Sequence, residues 1–221
     1  MARGRLVVLE GPDGAGKSTQ VRRLVECLRA HGTEVVSVRE PGGTPLGDEL
    51  RRILLDPASD IVPAAEALLY MASRAQLVAR EIQPALERGA TVVVDRFFLA
   101  TYAYQGAGRG IPEAALRDAN LLATGGLVPD LTILVTLSRE TGLARALARG
   151  GHDRMERADA AFHDRVARAY ESFATAAWAA THAECGPIAL VDGSGAEEEV
   201  FARVLAALRS RWPESFPFAI A

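Results

Sequence analysis

Apolar and polar positions along this chain follow two patterns, short continuous apolar runs and longer segments with helical spacing. The first apolar run covers residues 6–10. In the segment after it, apolar residues recur three or four positions apart, at Val21, Leu24, Val25 and Leu28. A run of about five apolar residues predicts a buried strand, and the wider spacing predicts a helix that packs on one face. Gly32 is typical of the position just after such a helix.

The two patterns repeat along the rest of the chain. Further strands are predicted at residues 34–38, 91–94, 131–135 and 188–191. Helical patterns lie between them, at residues 46–55, 64–87, 112–123, 140–148, 158–181 and 196–211. Alternating helices and nearly continuous apolar strands predict an α/β fold, with a parallel sheet covered by helices on both faces. We expect residues 1–221 to form one domain.

Composition narrows the classes of function. The formal net charge is −3, which disfavours a nucleic-acid surface because such a surface is basic. No apolar run reaches the ~18 residues of a membrane helix, and no signal peptide is recognisable. Cys27 and Cys185 match no metal-ligand spacing, so we expect two buried thiols in a reducing compartment. We therefore expect a cytoplasmic protein without nucleic-acid or membrane partners.

Three polar or glycine-rich segments directly follow predicted strands, at residues 11–19, 39–44 and 95–105. Ligands of a parallel sheet bind beyond the carboxyl ends of its strands. We expect these segments to surround one crevice.

The first segment carries a phosphate-binding pattern. Its residues are Gly11, Pro12, Asp13, Gly14, Ala15, Gly16, Lys17 and Ser18, which fit G-x-x-x-x-G-K-[ST] between a strand and a helix. Lys17 is the only lysine among 25 lysines and arginines. A compact ammonium reaches phosphate oxygens that a planar guanidinium meets with different geometry. The loop therefore predicts a P-loop fold with ATP bound at Gly11, Asp13, Gly14, Ala15, Gly16, Lys17, Ser18 and Thr19, and Lys17 as a catalytic residue.

The strand at residues 91–94 ends at Asp95 and Arg96. An aspartate after a β-branched strand is typical of the carboxylate that holds Mg²⁺ in phosphate-loop proteins. We predict that Ser18 and Asp95 hold this Mg²⁺ and that Arg96 grips a phosphate. Outside this context, an Asp-Arg pair is more often a turn or a surface ion pair.

An arginine-rich stretch follows the fourth strand. Arg145 and Arg149 are one helical turn apart, and Arg154 and Arg157 follow two glycines. The variable positions of the phosphate loop carry no basic residue, so charge neutralisation must come from elsewhere. We predict a lid segment at about residues 149–157 that brings Arg149 and Arg154 to the transferring phosphoryl group, with Arg145 at ATP. The alternative is a solvated helix end.

Tyr70 and Arg74 lie four residues apart and so share one face of a helix. An aromatic ring beside a guanidinium can stack on a nucleobase and hydrogen-bond it. The alternative is a core tyrosine beside an arginine whose head reaches solvent.

Together these segments resemble the thymidylate kinase family over residues 6–174. The resemblance rests on GPDGAGKSTQ, REPGGTPLG, AEALLYMASRAQLV, DRFFLATYAYQGAGRG, PDLT and ALARGGHDRMER in that order. It implies a five-stranded parallel sheet, phosphorylation of dTMP by ATP with Mg²⁺, and a homodimer. Arg149 and Arg154 look like the lid arginines of the bacterial type, which lacks an arginine in the phosphate loop.

The resemblance also implies an acceptor site built from Asp13, Arg39, Tyr70, Arg74, Arg96, Tyr104 and Gln105. Arg39 and Arg96 would bind the 5′-phosphate, with Asp13 near Arg39 and the 3′-hydroxyl. Tyr70 would stack on thymine and Arg74 would bond a base carbonyl. Tyr104 would crowd the ribose 2′ position, and Gln105 would face the base or sugar.

The chain departs from the family pattern at Thr136, which follows the fourth strand, and also at Phe97, Ala100 and Tyr70. These departures leave open a kinase for another or a modified pyrimidine deoxynucleoside monophosphate. A GTPase is disfavoured because its N-K-x-D motif needs a second lysine. A catalytically silent nucleotide-binding protein is disfavoured by the intact Lys17 and Asp95.

Overall fold

The computed structural model describes residues 3–148 and 153–216. Its centre is a five-stranded parallel sheet in the order β2-β3-β1-β4-β5. The strands are β1 Leu6–Glu10, β2 Val35–Arg39, β3 Thr91–Asp95, β4 Leu131–Thr136 and β5 Ile188–Asp192. Every predicted strand is confirmed, with ends that differ by at most one residue.

Helices connect the strands. The first five are α1 Lys17–Ala30, α2 Pro45–Leu55, α3 Pro63–Leu77, α4 Gln83–Glu87 and α5 Phe98–Thr101. The others are α6 Glu113–Thr124, α7 Arg139–Ala148, α8 Ala160–Phe173, α9 Ala176–Thr181 and α10 Glu197–Arg211. Wider π-helical turns at Val78–Ile82 and Tyr102–Gly108 extend α3 and α5, and a short 3₁₀ turn covers Ala183–Cys185. None of these helices is long and apolar enough to cross a membrane.

The middle strand shows why both faces of the sheet are covered. Leu6 and Val8 pack with α3, α5 and α8 on one face, whereas Val7 and Leu9 pack with α1 and α10 on the other. All four side chains are buried. Because successive side chains of a strand point to opposite faces, a continuous apolar run requires helices on both.

One helical prediction is wrong in detail, and one helical segment was not predicted. The predicted helix 158–181 is two helices, since α8 ends at Phe173 and the Thr175 hydroxyl caps α9 by accepting a hydrogen bond from the Trp178 amide. Residues 98–108, expected only as a segment beside the crevice, are helical throughout. The thiol prediction is also half wrong, because Cys185 is buried but Cys27 is partly exposed; both are free thiols.

Candidate active site

One cleft of about 320 Å³ opens at the carboxyl ends of β1, β2 and β3. The predicted site residues that line it are Asp13, Gly14, Gly16, Lys17, Ser18, Thr19, Arg39, Tyr70, Arg74, Asp95, Arg96, Tyr104 and Gln105. Gly11 and Ala15 are buried behind this lining. The parallel sheet thus brings together the three segments that were expected to surround one crevice.

The phosphate loop depends on its glycines. Gly11 has a φ of +143°, and a Cβ there would lie 2.3 Å from the Val135 carbonyl oxygen. Gly14 has a φ of +80°, and a Cβ would lie 2.2 Å from the Gly142 carbonyl oxygen of α7. Only glycine tolerates both the backbone angle and the close approach. The loop leads directly into α1, whose amide-rich end favours an anion.

Lys17 is buried at this end of the cleft, and its Nζ donates a hydrogen bond to the Pro12 carbonyl oxygen at 2.7 Å. Burial lowers the pKa of Lys17 to about 8, and the nearby positive charge of Arg96 acts in the same direction. The carboxylates of Asp13, Asp95 and Glu10 act in the opposite direction, but they do not offset the loss of hydration. The side chain is therefore suited to gain a phosphate partner.

Ser18 and Asp95 meet at the mouth of the cleft, where the Ser18 hydroxyl donates to Asp95 Oδ2 at 2.5 Å. A hydroxyl and a carboxylate are oxygen donors that Mg²⁺ accepts. No group of three or more acidic, histidine or cysteine side chains in the described residues could hold a metal alone. Ser18 and Asp95 could therefore supply two oxygen ligands to an Mg²⁺ ion bound together with phosphate.

Arg96 connects the phosphate loop to α8 across the cleft. Its guanidinium donates to Asp13 Oδ1 at 2.5 Å, to the Gly11 carbonyl oxygen at 3.1 Å and to the Tyr170 hydroxyl at 3.0 Å. Among the described residues, Arg96 is the one non-glycine residue with a positive φ, +70°. A conformation of this kind costs about 1–3 kcal/mol and is often found at functional sites.

Two tyrosines complete this corner. The Tyr104 hydroxyl donates to Asp13 Oδ2 at 2.6 Å, and the Arg96 guanidinium lies 5.2 Å from the centre of the Tyr104 ring. Burial holds the pKa of Tyr104 and Tyr170 well above the usual range, so both phenols stay protonated donors. Tyr170 was missed from sequence, because it lies on α8, 74 residues from the arginine that it contacts.

Two more arginines line the cleft. Arg39 is exposed, and its guanidinium makes no hydrogen bond or ion pair within the described residues. Arg51, on α2, donates to the Pro41 carbonyl oxygen at 3.0 Å and lines the same cleft. Burial and the positive charge of Arg39 lower the pKa of Arg51. Arg51 was missed because its sequence neighbour is also an arginine and the pattern does not say which one faces inward.

Tyr70 and Arg74 both line the cleft, but Arg74 is only 2% exposed. The acceptors around its guanidinium are both Glu40 carboxylate oxygens, the Thr101 hydroxyl, the Asn120 side-chain oxygen and the Phe97 carbonyl oxygen. A guanidinium has five N–H donors, and all five are used. The contact with a base carbonyl stays a prediction, and it would require one donor to be shared.

A buried carboxylate shapes the turn after β3. Glu10 is fully buried and accepts hydrogen bonds from the Phe97 and Ala100 amides at 2.7 and 3.1 Å. The Phe97 side chain is buried against Phe98 rather than in the cleft lining, whereas Ala100 lines the cleft. The departure from the family pattern at Phe97 therefore lies outside the cleft lining.

The lid arginines divide into three cases. Arg149 and the first four residues of the lid segment, 149–152, lie outside the described residues. Arg145 donates to the Gly193 carbonyl oxygen at 3.2 Å and does not line the cleft. Arg154 forms an ion pair at 2.7 Å with Glu66, which is fully buried on α3, and donates to the Leu54 carbonyl oxygen at 2.8 Å. A catalytic role for Arg154 stays a prediction.

A phosphate loop and several arginines line one cleft of a parallel sheet. This arrangement defines a phosphotransferase of the nucleoside monophosphate kinase class. Comparison with known proteins makes the class specific: the model of the thymidylate kinase family matches residues 9–189.

Curated thymidylate kinases are similar to this protein over nearly the whole chain. The thymidylate kinase of Deinococcus radiodurans is 48% identical over 96% of this chain and 99% of its own length. That of Citrifermentans bemidjiense is 45% identical over 94% of this chain and 92% of its own length. That of Carboxydothermus hydrogenoformans is 41% identical over 90% of this chain and 94% of its own length. The chain belongs to the thymidylate kinase family and is an enzyme.

Proposed function

We propose that this enzyme transfers the terminal phosphoryl group of ATP to dTMP and forms dTDP. The observation that carries the proposal is the bridge between Asp13 and Arg96. It links the phosphate loop, where Lys17 is proposed to bind one phosphate, to the arginine-lined end of the same cleft, where Arg39 is proposed to bind a second. Two phosphate-binding halves in one cleft suit a donor and an acceptor that react in line.

At the donor end, Lys17 and the loop amides would hold the β- and γ-phosphates of ATP. Ser18 and Asp95 would hold Mg²⁺, which neutralises phosphate charge and fixes the orientation of the phosphates when bound. The short bond between these two side chains supports a shared ion, because both oxygens lie within reach of one point.

At the acceptor end, Arg39, Arg96 and Arg51 would bind the 5′-phosphate of dTMP. Arg39 is free to do so, since it has no partner within the described residues. Tyr104 is proposed to limit space at the ribose 2′ position, and its bond to Asp13 keeps the ring fixed there. Tyr70, Arg74 and Gln105 would surround the base.

For the transition state we propose charge stabilisation by Arg149, together with Lys17 and Arg96. The acceptor phosphate is already ionised at neutral pH, so little proton chemistry is needed and no general base is assigned. Arg154 is paired with the buried Glu66 instead.

A homodimer is also proposed, with α3 and α6 as its surface. Leu122 is 88% exposed, Leu121 59% and Leu68 65%, on neighbouring helices. Exposed leucines that adjoin one another are typical of an interface. Light scattering after size exclusion should give the mass of a dimer, and Leu122→Lys should shift the protein toward the monomer.

ATP and dTMP are cytoplasmic metabolites, so the cytoplasm remains our prediction for the location of this enzyme.

The test of the function is ADP release from Mg·ATP with dTMP, dUMP, dCMP, dGMP and UMP as separate acceptors. We expect the highest kcat/KM with dTMP. A Lys17→Ala variant gives the background without the donor site. A higher kcat/KM for any other acceptor would contradict the proposal.

A further inference from the structure

A buried ionic cluster lies directly behind the acceptor end of the cleft. It consists of Glu66, Arg109, Arg154 and Gln105, which we call the Glu66 cluster. Of these four residues only Gln105 lines the cleft. Glu66 itself is fully buried, at 0% exposure, although it is a carboxylate on α3. A charge buried to this extent must be compensated by its neighbours.

The two carboxylate oxygens of Glu66 share Arg109 and differ in their other partner. Oε1 accepts from Gln105 Nε2 at 2.9 Å and from Arg109 Nε at 3.2 Å. Oε2 accepts from Arg154 Nη2 at 2.7 Å and from Arg109 Nη2 at 3.0 Å. One oxygen therefore contacts the acceptor wall, and the other contacts the end of the lid segment.

This arrangement fixes the orientation of the Gln105 amide. An ionised carboxylate only accepts hydrogen bonds, so the atom of Gln105 that faces Glu66 must be the NH₂ group. The opposite atom, Oε1, has no hydrogen-bond partner within the described residues. Gln105 therefore presents an acceptor oxygen, rather than a donor, on the side away from Glu66.

The polarity of that oxygen matters for the base. The ring nitrogen N3 of thymine carries a hydrogen and donates, whereas N3 of cytosine is an acceptor. If Gln105 faces the base, an amide held with Oε1 outward accepts from thymine and repels cytosine. A buried site loses much of its affinity when its polar groups are left unpaired.

Arg154 holds the same carboxylate from the lid side. Its backbone amide donates to the Leu55 carbonyl oxygen at 3.0 Å, so it is attached to α2 by backbone as well as side chain. Met155 beside it is buried and lines the cleft. These contacts direct the Arg154 guanidinium into the wall of the acceptor pocket, behind the residues that line the cleft.

We infer that Glu66 is a positioning residue that selects thymine by fixing the Gln105 amide, and that Arg154 anchors the lid segment to it. This inference rests on the proposed function and deepens its acceptor specificity. It gives Arg154 a role in holding the acceptor site rather than in stabilising the transferring phosphoryl group.

Glu66→Gln gives a sharp test. The two arginines would attract the amide oxygen of the new side chain, which leaves its NH₂ group facing Gln105. The Gln105 amide would then turn its oxygen inward and its NH₂ group toward the base. We expect the ratio of kcat/KM for dTMP over dCMP to fall about 10- to 100-fold, from the cost of mispairing one buried hydrogen bond.

This ratio separates positioning from folding. A lower folded fraction reduces both rates equally and cancels in the ratio. The matched control is Glu34→Gln, the same chemical change in the exposed pair of Glu34 and Arg88, which are 2.7 Å apart. We expect the control to keep the parental ratio. An unchanged ratio in Glu66→Gln, with both rates reduced equally, would overturn the role of Glu66.

Arg154→Gln tests the lid half. An anchor should raise the KM for dTMP more than it lowers kcat and should also reduce the dTMP-to-dCMP ratio, with partial recovery in Arg154→Lys. A fall in kcat by the same factor for both acceptors, with KM unchanged, would indicate that Arg154 stabilises the transferring phosphoryl group. That result would contradict its role as an anchor. If the parent does not phosphorylate dTMP, the proposed function fails before any variant is compared.

Discussion

The ionisation of Lys17 should make ATP binding depend on pH. Burial lowers the pKa of this ammonium to about 8 in the ligand-free protein. Phosphate oxygens beside it would raise its pKa again in the complex, because an anion favours the charged form. The complex then binds more protons than the free enzyme. Affinity for ATP should therefore be constant below about pH 8 and should fall as the pH rises above it.

The size of the effect follows from the pKa. At about pH 9, roughly one free molecule in ten still carries the proton, compared with about nine in ten near pH 7. The Kd for ATP should rise about tenfold over this interval, or ~1.4 kcal/mol. The phosphates of ATP do not obscure this change, since a phosphate monoester ionises at roughly pH 6. Titration calorimetry near pH 9 in two buffers of different ionisation enthalpy should also show proton uptake.

The control is Lys17→Arg, because a guanidinium stays charged throughout this range. Its binding should be weaker but should show no inflection and no proton uptake. A parental Kd that is the same at about pH 7 and pH 9 would mean that Lys17 keeps its proton without a ligand. The argument from burial would then be refuted.

Three further outcomes test the site. Lys17→Ala should abolish turnover in the ADP-release assay with an unchanged circular dichroism spectrum, since charge-assisted bonds of about 1.5–3 kcal/mol each are lost; measurable normal kcat would contradict the donor site. Arg39→Ala should raise the KM for dTMP with little change in thermal stability, because Arg39 has no partner within the described residues to lose; an unchanged KM would remove it from the acceptor site. Tyr104→Ala should narrow the preference for deoxyribonucleotides, measured as kcat/KM for dTMP over ribo-TMP; an unchanged ratio would remove Tyr104 from the ribose.

The sheet and the phosphate loop were predictable because local patterns determine them. A five-residue apolar strand must be covered by other elements on both faces of the sheet. Glycines at this spacing before a lysine are specific to a phosphate-binding loop. Residues 98–108 were not recognised as helical, since their aromatic and glycine content is typical of strands and turns. Their helix is stabilised by distant contacts, among them the Glu10 carboxylate that accepts the Phe97 and Ala100 amides.

Buried charges were the main features that the sequence did not reveal. Glu10, Glu40 and Glu66 are all buried, although charged residues usually lie at the surface. Each is compensated by partners far along the chain, such as Arg74 for Glu40 and Arg154 for Glu66. A periodicity shows which face of a helix an acidic residue occupies, but it does not show whether a guanidinium 34 or 88 residues away will meet it.

The arginines around the cleft differ in how many of their N–H donors are already bonded within the protein, a difference that sequence motifs do not show. The chain has 24 arginines, because one of its 25 basic residues is Lys17. All five donors of Arg74 are used within the protein, so its loss should act mainly on the folded state. Arg96 divides its donors between the phosphate loop and Tyr170, so it orders the site as well as facing it. Arg39 has no partner within the described residues and is the guanidinium most available to an acceptor phosphate. In a protein this rich in arginine, the availability of donors is therefore a better guide to ligand binding than residue type.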